Sequence, residues 1–186
     1  MSMAMQSLMV LWGLPGTGKS TFGRWLVGNK GFTNVDNDLV AVNQAPRTDL
    51  TNAWDQSWMG SPPLNPTPFM TAVARHGHPV VLQCGLSAKP HNIDLVRQIQ
   101  YLDGDTWWFD GDRALALAAW LKESQRLRRP NTTDDWHHAV RMIDGNWTAL
   151  EAFFGQGRIL RVLEAGHRRC SGAEIYAMME TRRSKE

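Results

Sequence analysis

The chain has 186 residues, a formal net charge of +2 and two cysteines, Cys84 and Cys170. That length suits one domain able to bury most of its apolar surface. The cysteine count excludes a disulfide framework or a zinc site, and no apolar run approaches the roughly 20 residues of a membrane span. Charge is unevenly spread: residues 1–121 carry 8 Lys and Arg against 9 Asp and Glu, and residues 122–186 carry 12 against 9.

The opening MSMAMQSLMV lacks the basic start of a secretion signal and leads into a strand, SLMVLW. With so few cysteines, a reducing cytoplasmic setting is expected. A helix is predicted from Lys19 to about Gly28, then a strand in FTNVD. The segment 44–68 follows, with five prolines and with Trp54 and Trp58, and reads as a long lid-like insert without regular structure.

Beyond it the pattern alternates again. Helix TPFMTAVARHG, strand PVVLQCG, helix HNIDLVRQIQYL, strand TWWFD and helix DRALALAAWLKESQR lead to a basic loop at 126–135, RLRRPNTTDD. Thr133 or Asp134 is the expected cap of the next helix, a single element through DDWHHAVRMIDGNWTALEAFF, before strand RILRVLE and helix SGAEIYAMMETRR. Strands alternating with helices predict a five-stranded parallel sheet with crossover helices. The continuous apolar runs Leu8–Leu11 and Val80–Leu82 fit strands covered on both faces.

Between the first strand and first helix lies GLPGTGKS, Gly13 to Ser20, a full GxxxxGK[ST] match in the strand–loop–helix setting that gives the pattern meaning. Glycines let successive N–H groups turn inward on phosphate oxygens, and the helix N-terminus adds its positive dipole end. Gly13, Gly16, Thr17, Gly18, Lys19, Ser20 and Thr21 are therefore the expected nucleotide-binding residues. Lys19 would reach the β and γ phosphates and Ser20 would ligate Mg²⁺, which makes ATP or another NTP the expected ligand with Mg²⁺. The fold class that follows is the P-loop NTPase type, three α/β/α layers.

NVDND puts Asp36 and Asp38 after the second strand, where open parallel sheets gather their reacting groups. A kinase needs a carboxylate there to accept the proton of the attacked hydroxyl. Asp36 and Asp38 are the candidates, with Asp36 as an alternative Mg²⁺ ligand. As a structural alternative, Asp36 ends a strand and Asp38 caps a helix. GLPGTGKSTF followed by NVDNDLV resembles the P-loop kinases of the polynucleotide kinase and zeta-toxin-like group. The resemblance implies Asp38 as the base and assigns the basic loop as a lid whose arginines, Arg129 and Arg126 with Arg128 behind them, neutralise charge on the transferring phosphoryl group. It also brings Arg168 or Arg169 near the adenine. The third strand departs from the group, reading LQCG where an acid is usual.

Asp110, after an apolar run, is either a second metal carboxylate or part of the next helix's cap, and Lys89 and His91 are either phosphate contacts or local structural residues. For the acceptor, Trp54 and Trp58 read either as stacking platforms for a base or as core, and Gln83 as a base or ribose contact or a structural residue. The basic last third suits a polyanion or a merely solvated surface. Three readings follow. The favoured one is transfer to a nucleic-acid hydroxyl, DNA in particular: a 5′ hydroxyl or a hydroxymethyl base, as in phage 5-hydroxymethyluridine DNA kinases. The alternatives are a small-molecule or nucleoside kinase and a non-catalytic nucleotide-binding switch.

Overall fold

A computed structural model describes residues 8–41, 43–58, 63–85, 90–126, 132–164, 166 and 169–185, with only the backbone at 41, 90 and 91. Its sheet has five parallel strands in the order β2-β3-β1-β4-β5: β1 Leu8–Gly13, β2 Thr33–Asp36, β3 Val80–Gln83, β4 Asp105–Gly111 and β5 Ile159–Leu163. The helices are α1 Lys19–Lys30, α2 Asn37–Ala41, α3 Asp49–Trp58, α4 Thr67–His76, α5 Pro90–Tyr101, α6 Arg113–Arg126, α7 Thr133–Gly145, α8 Trp147–Arg158 and α9 Gly172–Arg183.

Strand side chains alternate between two cores because successive Cβ atoms leave opposite faces of a sheet. Leu8, Val10 and Trp12 of β1 enter one core with residues of α3 to α8, while Met9 and Leu11 enter the other with Phe22 and Leu26 of α1 and Ile175 and Met179 of α9. Helices therefore cover both faces, as the unbroken apolar runs predicted. None of the helices among the described residues is long and apolar enough to cross a membrane.

Three expectations need correction. The segment 44–68 contains a regular helix, α3, which buries Leu50, Thr51, Trp54 and Ser57 along one face. Its start is fixed by Thr48 and Thr51: the Thr51 amide donates to the Thr48 hydroxyl at 3.2 Å and the Thr48 amide to the Thr51 hydroxyl at 2.8 Å. The long helix expected at 134–154 is two, α7 and α8, meeting at Asn146, which ends one and begins the other. Its cap is Thr132, one residue earlier than expected, paired reciprocally with Asp135.

The N-terminal end of β4 is held by charge. Asp105, fully buried as a side chain, ion-pairs with both Arg158 at the end of α8 and Arg183 at the end of α9. Both guanidinium groups also face the Trp107 ring, at 4.6 and 5.6 Å. This cluster fastens two helices at one end of β4, and Gly13 pairs with Phe109 near the other.

Candidate functional site

The phosphate loop leaves β1 at Gly13 and becomes α1 at Lys19. Gly13 and Gly16 have φ of 129° and 89°, conformations that L side chains rarely adopt. A Cβ at Gly13 would overlap the Phe109 carbonyl, and one at Gly16 the Ala116 carbonyl, so the loop lies directly on β4 and α6. Gly18 caps α1 in the left-handed conformation with no side chain satisfying the helix's first amides. Those amides have no acceptor within the helix, which leaves an anion site made of backbone.

The loop's carbonyls are held by side chains, two of its own and two from outside. Lys19 Nζ donates to Gly13 and Leu14 at 3.0 Å each, and Thr17 Oγ1 donates to Leu14 at 2.8 Å. The Trp136 indole of α7 donates to Pro15 at 3.2 Å, and Arg169, after β5, donates to Gly16 at 3.0 Å. With carbonyls facing these donors, the loop's curl is fixed by residues from four parts of the chain. Thr17 is thus a buried brace of the loop, its hydroxyl turned to a carbonyl. Thr21 is exposed on α1, and its hydroxyl accepts from Arg24 at 3.4 Å.

Burial lowers the Lys19 ammonium from its ordinary value to about 8, against the attraction of Asp38 and Asp36, which raises it. The same burial, reinforced by Asp38 and Asp36, pushes the Cys84 thiol well above its ordinary range, so it stays protonated. A cation taken out of water beside a loop built for phosphate is stabilised by an arriving anion.

Ser20 Oγ lies 3.3 Å from Asp36 Oδ2, and the other Asp36 oxygen accepts from the Asp38 amide at 3.0 Å. A serine hydroxyl and a carboxylate are hard oxygen donors suited to Mg²⁺, which takes one or two protein ligands and completes its shell from phosphate and water. Ser20 and Asp36 fit that role. Asp38 is exposed at the start of α2, and the nearest heavy atom to a Cβ built on Gly85 would be its Oδ1, at 3.6 Å. The end of β3 therefore presents backbone to the Asp38 carboxylate.

Several expected contacts lie elsewhere. Trp54 is wholly buried, stacked on Trp58 at 5.3 Å and edge-on to Phe69 at 5.1 Å, so it cannot serve as a platform for a base. Trp58 is half-buried and packs 6.1 Å from Trp12 as well. Their burial follows from the helix: positions 50, 54 and 57 share one face of α3, and that face is the inner one. Gln83 is 3% exposed and donates to Asn34 beneath Gly23 of α1, a structural role and not a substrate contact.

Arg126 forks onto Glu123 of its own helix at 2.8 and 2.6 Å. Arg128, Arg129, Arg168 and Lys89 lie outside the described residues, as does the side chain of His91. Asp110 pairs with Arg113 at 3.6 Å, and the helix-capping role belongs to Asp112, which accepts from the Leu115 amide at 2.9 Å. Trp136 was missed by sequence reasoning. Its position four residues after the Thr132 cap would have put it on the first turn of the helix that follows the basic segment.

No family model matches the chain, and no curated protein does. Among solved structures it is similar to a gluconokinase from Sinorhizobium meliloti 1021, with a TM-score of 0.54 and 17% identity over 97% of this chain and 93% of that one. A shikimate kinase from Acinetobacter baumannii in complex with shikimate aligns at a TM-score of 0.48 and 16% identity, over 98% of this chain and 93% of that chain. One from Bacteroides thetaiotaomicron aligns at 0.45 and 12%, over 95% and 96%. None of these three is a polynucleotide kinase. At such identities the likeness concerns the fold, which is the α/β fold of P-loop NTPases.

Proposed function

We propose that the chain is an ATP-dependent kinase that phosphorylates an alcohol group of a small polar molecule held beside Asp38. The observation that carries this reading is the conjunction at one end of the sheet: a backbone anion loop, the Ser20–Asp36 oxygen pair and the Asp38 carboxylate facing the bare backbone of Gly85. A binding switch needs the loop alone; it has no use for a second carboxylate on a helix start beyond the first.

In this reading the loop amides and the Lys19 ammonium hold the phosphates, and Ser20 with Asp36 holds Mg²⁺, which supplies charge neutralisation when bound. Asp38 orients the acceptor hydroxyl and takes its proton as the new O–P bond forms, and the nucleoside diphosphate leaves. The gluconokinase resemblance supports a small acceptor. The nucleic-acid reading, including the hydroxymethyluridine DNA kinase form, drew on Trp54 as a stacking surface, and burial of that ring removes this support. Free thiols at Cys84 and Cys170 support a reducing cytoplasm.

The test is incubation with γ-labelled ATP, Mg²⁺ and separate acceptors: sugar acids and polyols, nucleosides, 5′-hydroxyl oligonucleotides and hydroxymethyl-base DNA. Label is expected on a small acceptor, at a rate little changed between about 50 and 200 mM salt. Label confined to DNA, with a steep salt dependence, would overturn the small-molecule reading in favour of the polynucleotide kinase one.

A further inference from the structure

We infer that Trp54 is a positioning residue for Asp38, acting through Asn37, so that the α3 insert sets the geometry of the proton acceptor. The inference rests on the kinase reading above for Asp38's role and goes beyond it in assigning what aims that carboxylate.

Trp54 Nε1 donates to Asn37 Oδ1 at 2.8 Å, with Trp54 0% and Asn37 7% exposed. Because an indole N–H can only donate, the Asn37 atom facing it is the amide oxygen. Asn37 stands between Asp36 and Asp38 and is the first residue of α2. Asp36 and Asp38 are themselves tied by the 3.0 Å bond from the Asp38 amide to the Asp36 carboxylate. The start of α2 is thus gripped from two sides, by Asp36 on the α1 side and by Trp54 from α3.

Filling this buried site is only part of what the tryptophan does. A Phe would keep an aromatic ring beside Trp58 and Phe69 at the cost of a small void, and it would also leave a buried amide oxygen unpaired, a cost larger than the gain of an ordinary hydrogen bond. Ring contacts extend from Trp54 through Trp58 to Trp12, the residue before Gly13. A chain of three tryptophans and one hydrogen bond therefore joins the strand that launches the phosphate loop to the residue between the two aspartates.

The test is Trp54→Phe, which keeps an aromatic ring while removing the N–H together with the volume of the second ring, a loss that the exchange control separates from the lost hydrogen bond. Its kcat is expected to fall about tenfold, as small misplacements of a reacting group do, while KM for ATP stays within about twofold because the loop is untouched. Asn37→Ala should give the same loss, and the double variant should lose little more than either single one. A second measurement needs no turnover: hydrogen exchange at the Asp38 amide should quicken in Trp54→Phe by about tenfold while the Ser57 amide, in the last turn of α3, holds its rate.

An unchanged kcat in Trp54→Phe, or losses that add in the double variant, would overturn the inference. So would exchange that quickens equally at Ser57 and Asp38, since that is the mark of a purely structural core residue. If the wild-type protein phosphorylates no acceptor, the kinase reading fails. The exchange comparison then decides by itself whether Trp54 fixes Asp38.

Discussion

The phosphate loop and the segment 44–68 both shape the same end of the sheet, and they do so by opposite means. The loop works with backbone: glycines at positive φ pressed against Phe109 and Ala116, with carbonyls tied down by Lys19, Trp136 and Arg169. The insert works with side-chain burial: Trp54 stacked on Trp58 and edge-on to Phe69, Trp58 in turn against Trp12, and one indole N–H reaching Asn37. A site written in backbone conformation tolerates almost no substitution, whereas one written in side-chain packing fails by degrees. Predictions that separate the two halves follow from this difference.

The largest effect is expected at the loop. Gly16→Ala forces a Cβ into the Ala116 carbonyl at a φ of 89°, which should cost more than about 3 kcal/mol in stability or displace the loop outright. Titration with ATP should then detect no binding. In the insert, Trp54→Ala empties a fully buried site and should destabilise by about 3–5 kcal/mol. Denaturant unfolding will read that loss, and in the surviving folded fraction ATP binding should persist. Equal loss of ATP affinity in both variants would erase the distinction between the halves.

Next comes the Lys19 titration. With its folded value at about 8, below the ordinary 10.5, the unfolded chain binds more protons above pH 8, so stability should rise from about pH 8 upward. Cys84 acts in the opposite sense. Its folded value is raised, so above about pH 9 the unfolded thiol loses a proton that the folded one keeps, and stability falls. Melting temperature should therefore climb between pH 8 and 9 and level off above, and in Cys84→Ala the climb should continue. Because phosphate favours the charged lysine, ATP affinity should fall by up to about tenfold per pH unit above 8. Lys19→Met should abolish both trends. The smallest effect is expected from Trp136→Phe, which removes one hydrogen bond to Pro15 and should raise KM for ATP about three- to tenfold with kcat unchanged.

The same division governs what could be read in advance. GLPGTGKS was legible because glycine spacing reports backbone conformation directly, and so was the placement of Asp36 at the end of β2 and Asp38 just beyond it, because a short strand-like run breaks there into polar residues. Strands β1 and β3 were legible from unbroken apolar runs, and the others from the alternation of strand-like and helix-period segments. Segment 44–68 was not, because its five prolines, Pro46 and four within 62–68, colour its composition although all lie outside α3, and because Trp carries no mark of facing in or out. The signals were present: Thr48 and Thr51 at capping distance, and Leu50, Trp54 and Ser57 at helical spacing. Gln83 misled similarly, since a polar residue ending a strand is as well suited to bonding Asn34 under Gly23 as to meeting a ligand. The break at Asn146 was announced by Gly145 just before it, which an otherwise good helical period obscured.

The central claim is that donor binding and proton acceptance reside in separate elements, the loop and the start of α2. It is tested most directly by Asp38→Asn, measured for ATP affinity by calorimetry and for transfer of labelled phosphate to the acceptor that the wild-type protein prefers. ATP affinity should remain within about threefold of wild type while transfer falls by about a hundredfold or more. Transfer at the wild-type rate in Asp38→Asn would contradict the account.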